Sequence, residues 1–426
     1  MDVNKKNRRN FLKQAGIQTA ALTLFPFISM DGAIEIPERY RELPTDDEDF
    51  WSRIQEAYSV SRSWINLNNG GVSPQPTFVQ DAFKRYMDMS NEAPSFYMWR
   101  RLEPTRINIR KDLADLLGCT REEIVINRNT TEALDTVIFG LDLKKGDEVV
   151  LSIYDYPNMR NAWEQRKKRD GIVLKYVDIV LPDASEEEII QAYIDQISNK
   201  TKLVHLTHMV NYNGQVLPIR RIAKEVKKRD ILLMLDGAHS FAHIDFKLEE
   251  LQCDFFATSL HKWLCAPFGT GLLYIKKELI SSVWAFSPTD ALKDDDIRKF
   301  EAMGTRSVPS EIAVGQAVLF HNNIGAIRKY ERLKSLTDYW TEPFKDESKF
   351  ISYTPKRLGK YASLYTFGIE GMKAGEIGNF LQKNYKIIST SISWENIEGC
   401  RISPHVYTSE SELDKLIEGI THLLKT

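Results

Sequence analysis

Leu232-Leu233-Met234-Leu235-Asp236-Gly237-Ala238-His239, followed by Ser259-Leu260-His261-Lys262, is the stretch on which the fold turns. Ile231 to Leu235 and Phe255 to Thr258 read as short apolar strands, the pattern of a parallel sheet buried on both faces. The first strand carries a carboxylate, Asp236, to its carboxyl end, and the second carries an amine, Lys262, to the same edge. Open α/β sheets bind their ligands at that edge. A lysine becomes a covalent catalyst only when its amine can lose a proton, which burial and nearby cations encourage. Taken alone, an Asp at a strand end is more often a cap or turn residue, and a Lys beside a His is usually a surface residue. The two together, in this order, say more than either.

Outward from this stretch, β-rich runs recur at Ile124 to Ile126, Glu148 to Ser152, Leu203 to Thr207 and Gly271 to Ile275. Charged amphipathic segments lie among them, at Arg160 to Arg169, Glu186 to Ile197 and Ile219 to Arg229, and further helices are expected over Phe78 to Met89 and Thr105 to Leu117. Strand and helix in alternation predict an α/β fold with a mostly parallel sheet covered on both faces. After about Ser307 the pattern changes to one long helix, Ser310 to Leu336, a strand over Ser363 to Ile369 and a closing helix from Glu410 to Leu424, which predicts a smaller α/β domain. The expected organisation is a leader over 1–33, an arm over 34–65, a large domain over 66–306 and a small domain over 307–426.

The chain has 426 residues and 42% hydrophobic content, enough for a sizeable core. Its 59 acidic and 57 basic residues nearly cancel, so the charge balance gives no footprint for a nucleic-acid partner. Cys119, Cys253, Cys265 and Cys400 are scattered without a CxxC pair, which argues against a zinc ribbon, a dithiol redox motif or a disulfide framework. His239 and His243 have the spacing of a helical metal pair, with His205 and His208 as neighbours, but no third ligand is evident, so no metal is expected.

Lys5, Lys6, Arg8, Arg9 and Lys13 form a basic head before a mildly apolar run, Ala15 to Ile28, too short to span a bilayer permanently. Asn7-Arg8-Arg9-Asn10-Phe11-Leu12-Lys13 resembles a twin-arginine export signal, departing from it where Ser or Thr usually precedes the arginines. It implies use of the twin-arginine export machinery and a periplasmic location, with a membrane anchor as the alternative if the leader, here bounded near Ala33, is not cleaved.

Asp236 and Lys262 in this context resemble the class V aminotransferase family, which includes isopenicillin N epimerase-like proteins and cysteine desulfurases, and the resemblance runs from about Asn66 to the C-terminus. It implies pyridoxal 5'-phosphate (PLP) as cofactor and the PLP-dependent fold type I, with a seven-stranded sheet in the large domain. Lys262 would hold the cofactor covalently and Asp236 would pair with its ring nitrogen. Asn129-Thr130-Thr131-Glu132-Ala133, between a strand and a helix, would hold the phosphate through Thr130 and Thr131, joined by Ser259 and His261. Asn211, with His239 beside it, would meet the phenolic oxygen, and Tyr156 would stack on the ring. Arg401, in Gly399-Cys400-Arg401-Ile402-Ser403, would take an α-carboxylate by a two-point contact, and Asn69, in Asn68-Asn69-Gly70-Gly71, would lie at the substrate. Gly304-Thr305-Arg306 would reach the active site of a neighbouring subunit, making the unit a homodimer.

The same resemblance implies a small-molecule amino-acid substrate, displaced Lys262 as the base at the α-carbon, and one of three outcomes: epimerisation, β-elimination or transamination. Desulfurases place a nucleophilic Cys on a loop upstream of the carboxylate-binding Arg, and Lys386 to Asn396 contains none. Together with Tyr at 156, where desulfurases have His, this turns the expectation toward the isopenicillin N epimerase-like subgroup. A C–S lyase of sulfur-containing amino acids is the alternative. A non-catalytic exported binding protein is the reading of another class, and retention of Asp236, Lys262 and Arg401 together counts against it.

Overall fold

The apolar runs close into one sheet. A computed structural model describes residues 48–355 and 361–425. Its large sheet has seven strands: β2 (Ile124–Asn127), β3 (Glu148–Ser152), β4 (Val173–Val177), β5 (Thr201–Thr207), β6 (Leu232–Asp236), β7 (Phe255–Ser259) and β8 (Gly271–Ile275). Their spatial order is β2-β8-β7-β6-β5-β3-β4, and β8 alone runs antiparallel to its neighbours. Strands β2, β3, β6, β7 and β8 are almost wholly buried, as a sheet covered on both faces requires. Strand β4 was not foreseen. It is an outer strand whose Val173 is exposed and whose next three residues are only half-buried, so it lacks the apolar run that marks the others.

After helices α1 (Glu48–Glu56), α2 (Thr77–Glu92) and α3 (Arg106–Leu117), helices α4 (Thr130–Gly140) and α5 (Pro157–Asp170) cover one part of the sheet. Ala133, Leu134, Val137 and Ile138 pack there with Met159, Ala162 and the fully buried Trp163 in a cluster that includes Val149, Met234 and Phe255. Each large apolar side chain of this cluster removed from water stabilises the sheet by roughly 1.5–3 kcal/mol. The buried Arg166 guanidinium donates to the carbonyls of Ile138 and Leu141, at the end of α4 where helical carbonyls lose their partners.

The C-terminal part builds a second sheet of four antiparallel strands in the order β12-β13-β10-β9. These are β9 (Phe350–Ser352), β10 (Tyr365–Ile369), β12 (Thr390–Trp394) and β13 (Ile397–Ile402). The expected single helix over Ser310 to Leu336 is instead two, Val308–Ile324 and Ala326–Thr341, broken at Gly325, whose φ of 87° is outside the helical range. The arm is also more ordered than a polar segment suggests: Glu48–Glu56 is a helix that buries Phe50 and Trp51, and Arg328 and Arg332 lie over their rings. Strand β1 (Ile65–Asn66) then pairs in parallel with β11 (Ile387–Ile388). The twin-arginine segment and the leader boundary lie outside the described residues. Among the described residues no helix is long and apolar enough to cross a membrane.

Candidate active site

Strands β5, β6 and β7 run parallel and in register, so Thr207, Asp236 and Ala257 come to one level at the carboxyl edge of the sheet. Asp236 is 4% exposed, and its Oδ1 accepts from the Ala238 N–H at 2.9 Å. Burial pushes its carboxyl upward, while that N–H, His205 and Lys262 favour the charged form. Gly237 directly after it has no room for a side chain, because a Cβ would lie 2.1 Å from Phe256 Cζ.

Past β7 the chain makes a short excursion over residues 260–270, tied by Leu260 N to Thr270 O at 3.0 Å and by Ala266 N to Leu260 O at 3.0 Å. Lys262 projects from this loop with its Nζ 3.4 Å from His239 Nε2. Burial holds the amine down to about 8, with Arg401 acting in the same direction and Asp236 opposing both. A substantial neutral fraction therefore exists near neutral pH, which ordinary lysines lack. His239 is itself driven below its usual range by burial and then by Lys262.

The candidate phosphate turn is assembled from both sides of the sheet edge. Thr130 opens α4, and its N–H donates to Ser259 Oγ at 3.0 Å while the two hydroxyls lie 2.7 Å apart. Asn129 caps the helix by accepting from Glu132 N–H at 2.9 Å, and Thr131 follows at the second helical position. Strand β8 passes beneath this turn only because residue 271 is glycine: a Cβ would sit 2.5 Å from Asn127 Oδ1 and 2.6 Å from the Asn129 backbone. His261 Nδ1 donates to Thr270 O at 3.1 Å, and burial lowers the imidazole to about 4.

Arg401, on β13, is 5% exposed and has no carboxylate partner among the described residues. Its Nη1 donates to Asn211 O at 2.7 Å, and its Nη2 to Asn68 Oδ1 at 3.2 Å and Thr390 Oγ1 at 3.4 Å. Burial lowers it to about 10, with Tyr156 opposing, so Tyr156 lies within electrostatic reach of the guanidinium. Tyr156 precedes α5, with Pro157 as the first helical residue, and the residue is 40% exposed. Asn69 differs from expectation. Its Nδ2 donates to Ser403 O at 2.8 Å and to Asn66 O at 3.1 Å, and its Oδ1 accepts from Tyr407 at 2.7 Å. Both ends of the amide are engaged within the protein, so Asn69 holds the turn, and Asn68 is the residue that meets Arg401.

Buried polar atoms in this region without a hydrogen-bond partner include Asn211 Oδ1, His239 Nδ1 and Arg401 Nε. Each such atom costs about 1–3 kcal/mol unless something satisfies it. Gly304 and Thr305 are exposed, whereas Arg306 beside them is anchored to Ile126 O at 3.1 Å and to Glu311 at 3.2 Å. Among the described residues no group of three or more His, Cys, Asp or Glu side chains could hold a metal.

Three residues near the site escaped the sequence reading. Tyr212 stacks on Trp394 with centroids 5.8 Å apart, and Arg160 lies over the same Trp394 ring at 4.1 Å. Trp394 stands at the end of β12, and its Nε1 donates to Ile153 O at 3.1 Å.

A parallel sheet of this order, with a buried lysine and an acidic residue at its carboxyl edge, defines the fold type I architecture of PLP-dependent enzymes. The chain belongs to the aminotransferase class-V family, whose profile matches residues 65–416. An isopenicillin N epimerase from Amycolatopsis lactamdurans is 28% identical over 394 residues, covering 88% of this chain and 99% of the relative. The solved cysteine desulfurase CsdA from Escherichia coli superposes with a TM-score of 0.78 at 20% identity, covering 88% of this chain and 98% of that one. A cystine C–S lyase in complex with its product cysteine persulfide superposes with a TM-score of 0.76 at 22% identity, covering 84% and 97%.

Proposed function

We propose that the protein is a PLP-dependent enzyme acting at the α-carbon of an amino-acid substrate, with epimerisation as its reaction. The observation that carries this reading is the Lys262 amine, buried and lowered to about 8, beside Asp236 and His239 at the sheet edge. The residues fit the cofactor. Thr130, Thr131, Ser259 and His261 supply hydroxyls, amides and an imidazole for its phosphate, Asp236 a carboxylate for its ring nitrogen, and the Asn211 amide N–H and the unpartnered His239 Nδ1 hydrogen-bonding groups for its phenolic oxygen. When bound, PLP supplies an electron sink for the charge left when a proton leaves the α-carbon.

The chain's own groups do the rest. Arg401 takes the α-carboxylate, Tyr156 covers the ring face, and Asn69 fixes the turn that brings Asn68 to Arg401. Lys262 accepts the α-proton once its amine is free, and its depressed affinity for protons suits it to give the proton back. Arg401→Lys keeps the charge and loses the fork, so KM for the substrate is expected to rise about 10- to 100-fold with kcat less affected. An unchanged KM would remove Arg401 from the carboxylate role.

The cysteines argue against desulfuration, which needs a thiolate. Cys400 is buried, donates to Ser389 Oγ at 3.0 Å and is pushed up to about 11. Burial raises Cys119 to about 12 and also raises Cys253 and Cys265. β-Elimination from a sulfur-containing amino acid needs no such thiolate and is the second reading, favoured by the likeness to the C–S lyase. Incubation of the holoenzyme with pooled amino acids in deuterated water separates them. Deuterium at an otherwise unchanged α-carbon is expected, whereas pyruvate would establish elimination, and a keto acid with pyridoxamine phosphate would establish transamination.

The pH dependence of cofactor loading follows from Lys262. Only the neutral amine is nucleophilic, so the neutral fraction falls about tenfold for each pH unit below about 8 and saturates above it. Stopped-flow loading of the cofactor-free protein should give a rate that climbs below about pH 8 and levels beyond it. A bend near the usual lysine value of about 10.4 would contradict the role of burial.

Two further features belong to this reading. The exposed Gly304-Thr305 turn suits donation to a neighbouring subunit's phosphate, so the active unit is a homodimer. The twin-arginine segment directs export to the periplasm, and a fusion of residues 1–30 to a reporter that stayed cytoplasmic would reject it.

A further inference from the structure

A second guanidinium stands at the site without a carboxylate. Arg160 lies four residues after Tyr156, one turn along and on the same side of the chain entering α5. Its Nη2 is 3.4 Å from Tyr212 Oη, its guanidinium covers the Trp394 ring, and its Nε is buried with no hydrogen-bond partner. Among the described residues it forms no ion pair. Asp155, whose carboxylate Arg160 helps to keep charged, already accepts from Ser152 N–H at 2.7 Å and Thr207 Oγ1 at 2.6 Å. Glu164, one turn further on, accepts from Tyr176 at 3.1 Å.

The position of Arg160 relative to Arg401 is set by two consecutive residues. Arg401 donates to the backbone oxygen of Asn211, and Arg160 meets the phenol of Tyr212. The two guanidinia are thus separated by roughly one tyrosine side chain, with Tyr156 near both. The wall behind Arg160 is the β12–β13 hairpin, whose turn contains Glu395 at a φ of 51° and whose Asn396 accepts from Tyr154 Oη at 2.8 Å. A guanidinium held against flat rings is oriented and partly desolvated, which strengthens its attraction for an anion.

We infer that Arg160, held by Tyr212 and Trp394, is a specificity-determining residue that binds a second carboxylate on the substrate, so that the preferred substrates are amino acids with an anionic group remote from the α-carbon. The inference rests on the reading that Arg401 takes the α-carboxylate. A purely structural Arg160 would prop the hairpin and would affect all ligands alike.

The test uses the holoenzyme and non-reacting ligands, so it does not depend on turnover. Calorimetric titration compares adipate with its monoamide, which keeps one carboxylate and the same length. Adipate is expected to bind about 10- to 100-fold more tightly to the wild type. Arg160→Gln should abolish this preference by weakening adipate alone, and Arg160→Lys should restore part of it. Equal binding of the two ligands by the wild type, or a preference that survives in Arg160→Gln, would overturn the inference. A fall in both affinities together in Arg160→Gln would mark a structural role and overturn it as well. Failure of the underlying reading has a different signature: Arg401→Gln would leave the affinity of the monoamide unchanged.

Discussion

Lys262→Ala is expected to abolish turnover and to purify without the visible absorbance of a lysine-linked cofactor. The methyl group can neither hold the cofactor covalently nor exchange the α-proton, and loss of general acid–base catalysis alone is worth about 10²–10⁴-fold. The fold should survive. Burial in this position disfavours the charged amine, and taking away a costly buried cation does not weaken the sheet that carries it. The measurement is a paired absorbance spectrum and assay on wild type and variant, with melting temperature as the control. A variant that kept the visible band would place the cofactor on another residue.

Asp236→Asn is expected to have the next largest effect, and on rate more than on cofactor content. The amide is nearly isosteric and can still accept from the Ala238 N–H, so the strand end should keep its shape. It carries no negative charge, however, and cannot hold a proton on a ring nitrogen. A hydrogen bond to a charged group contributes about 1.5–3 kcal/mol, which corresponds to a rate loss of about 10- to 150-fold if it acts in the transition state. Asp236 also favours the protonated amine of Lys262, so its removal should move the bend of the loading profile below about 8. Loss of kcat with a downward shift of that bend is the expected pair. An unaltered kcat would show that the ring nitrogen has no partner here.

Much of this arrangement is legible in the sequence because burial and chemistry coincide there. Strands β3 and β8 begin and end where the sequence predicts them, Asp236 ends one such strand, and Lys262 lies three residues past the end of another. The fold then brings Thr130 to Ser259, Arg401 to Asn211 and Lys262 to His239. What the sequence hides depends on tertiary context. Strand β4 is too exposed to give a run, and Gly325 interrupts a pattern whose apolar spacing continues on both sides. Asn69 and Asn68 are chemically identical neighbours, and only the position of Tyr407 and Ser403 decides which one is engaged by the protein. Arg160 sits in a charged helix and reads as a solvated residue until Trp394, far along the chain, is placed under it.

The hairpin that carries Trp394 bears on the reaction as well as on specificity. It occupies the stretch before Arg401 where a desulfurase-like chain would need its thiol, and it presents an indole there, fixed to Ile153 O. Cys400, the nearest sulfur in sequence, is on the strand itself and bonded to Ser389.

The central claim is that one amine, Lys262, carries the cofactor. Its most direct test is reduction of the purified holoenzyme with borohydride, digestion and mass spectrometry of the peptides. The account predicts a single phosphopyridoxyl adduct, on the peptide containing His261 and Lys262. An adduct on any other lysine, or none in protein that had been supplied with PLP, would contradict it.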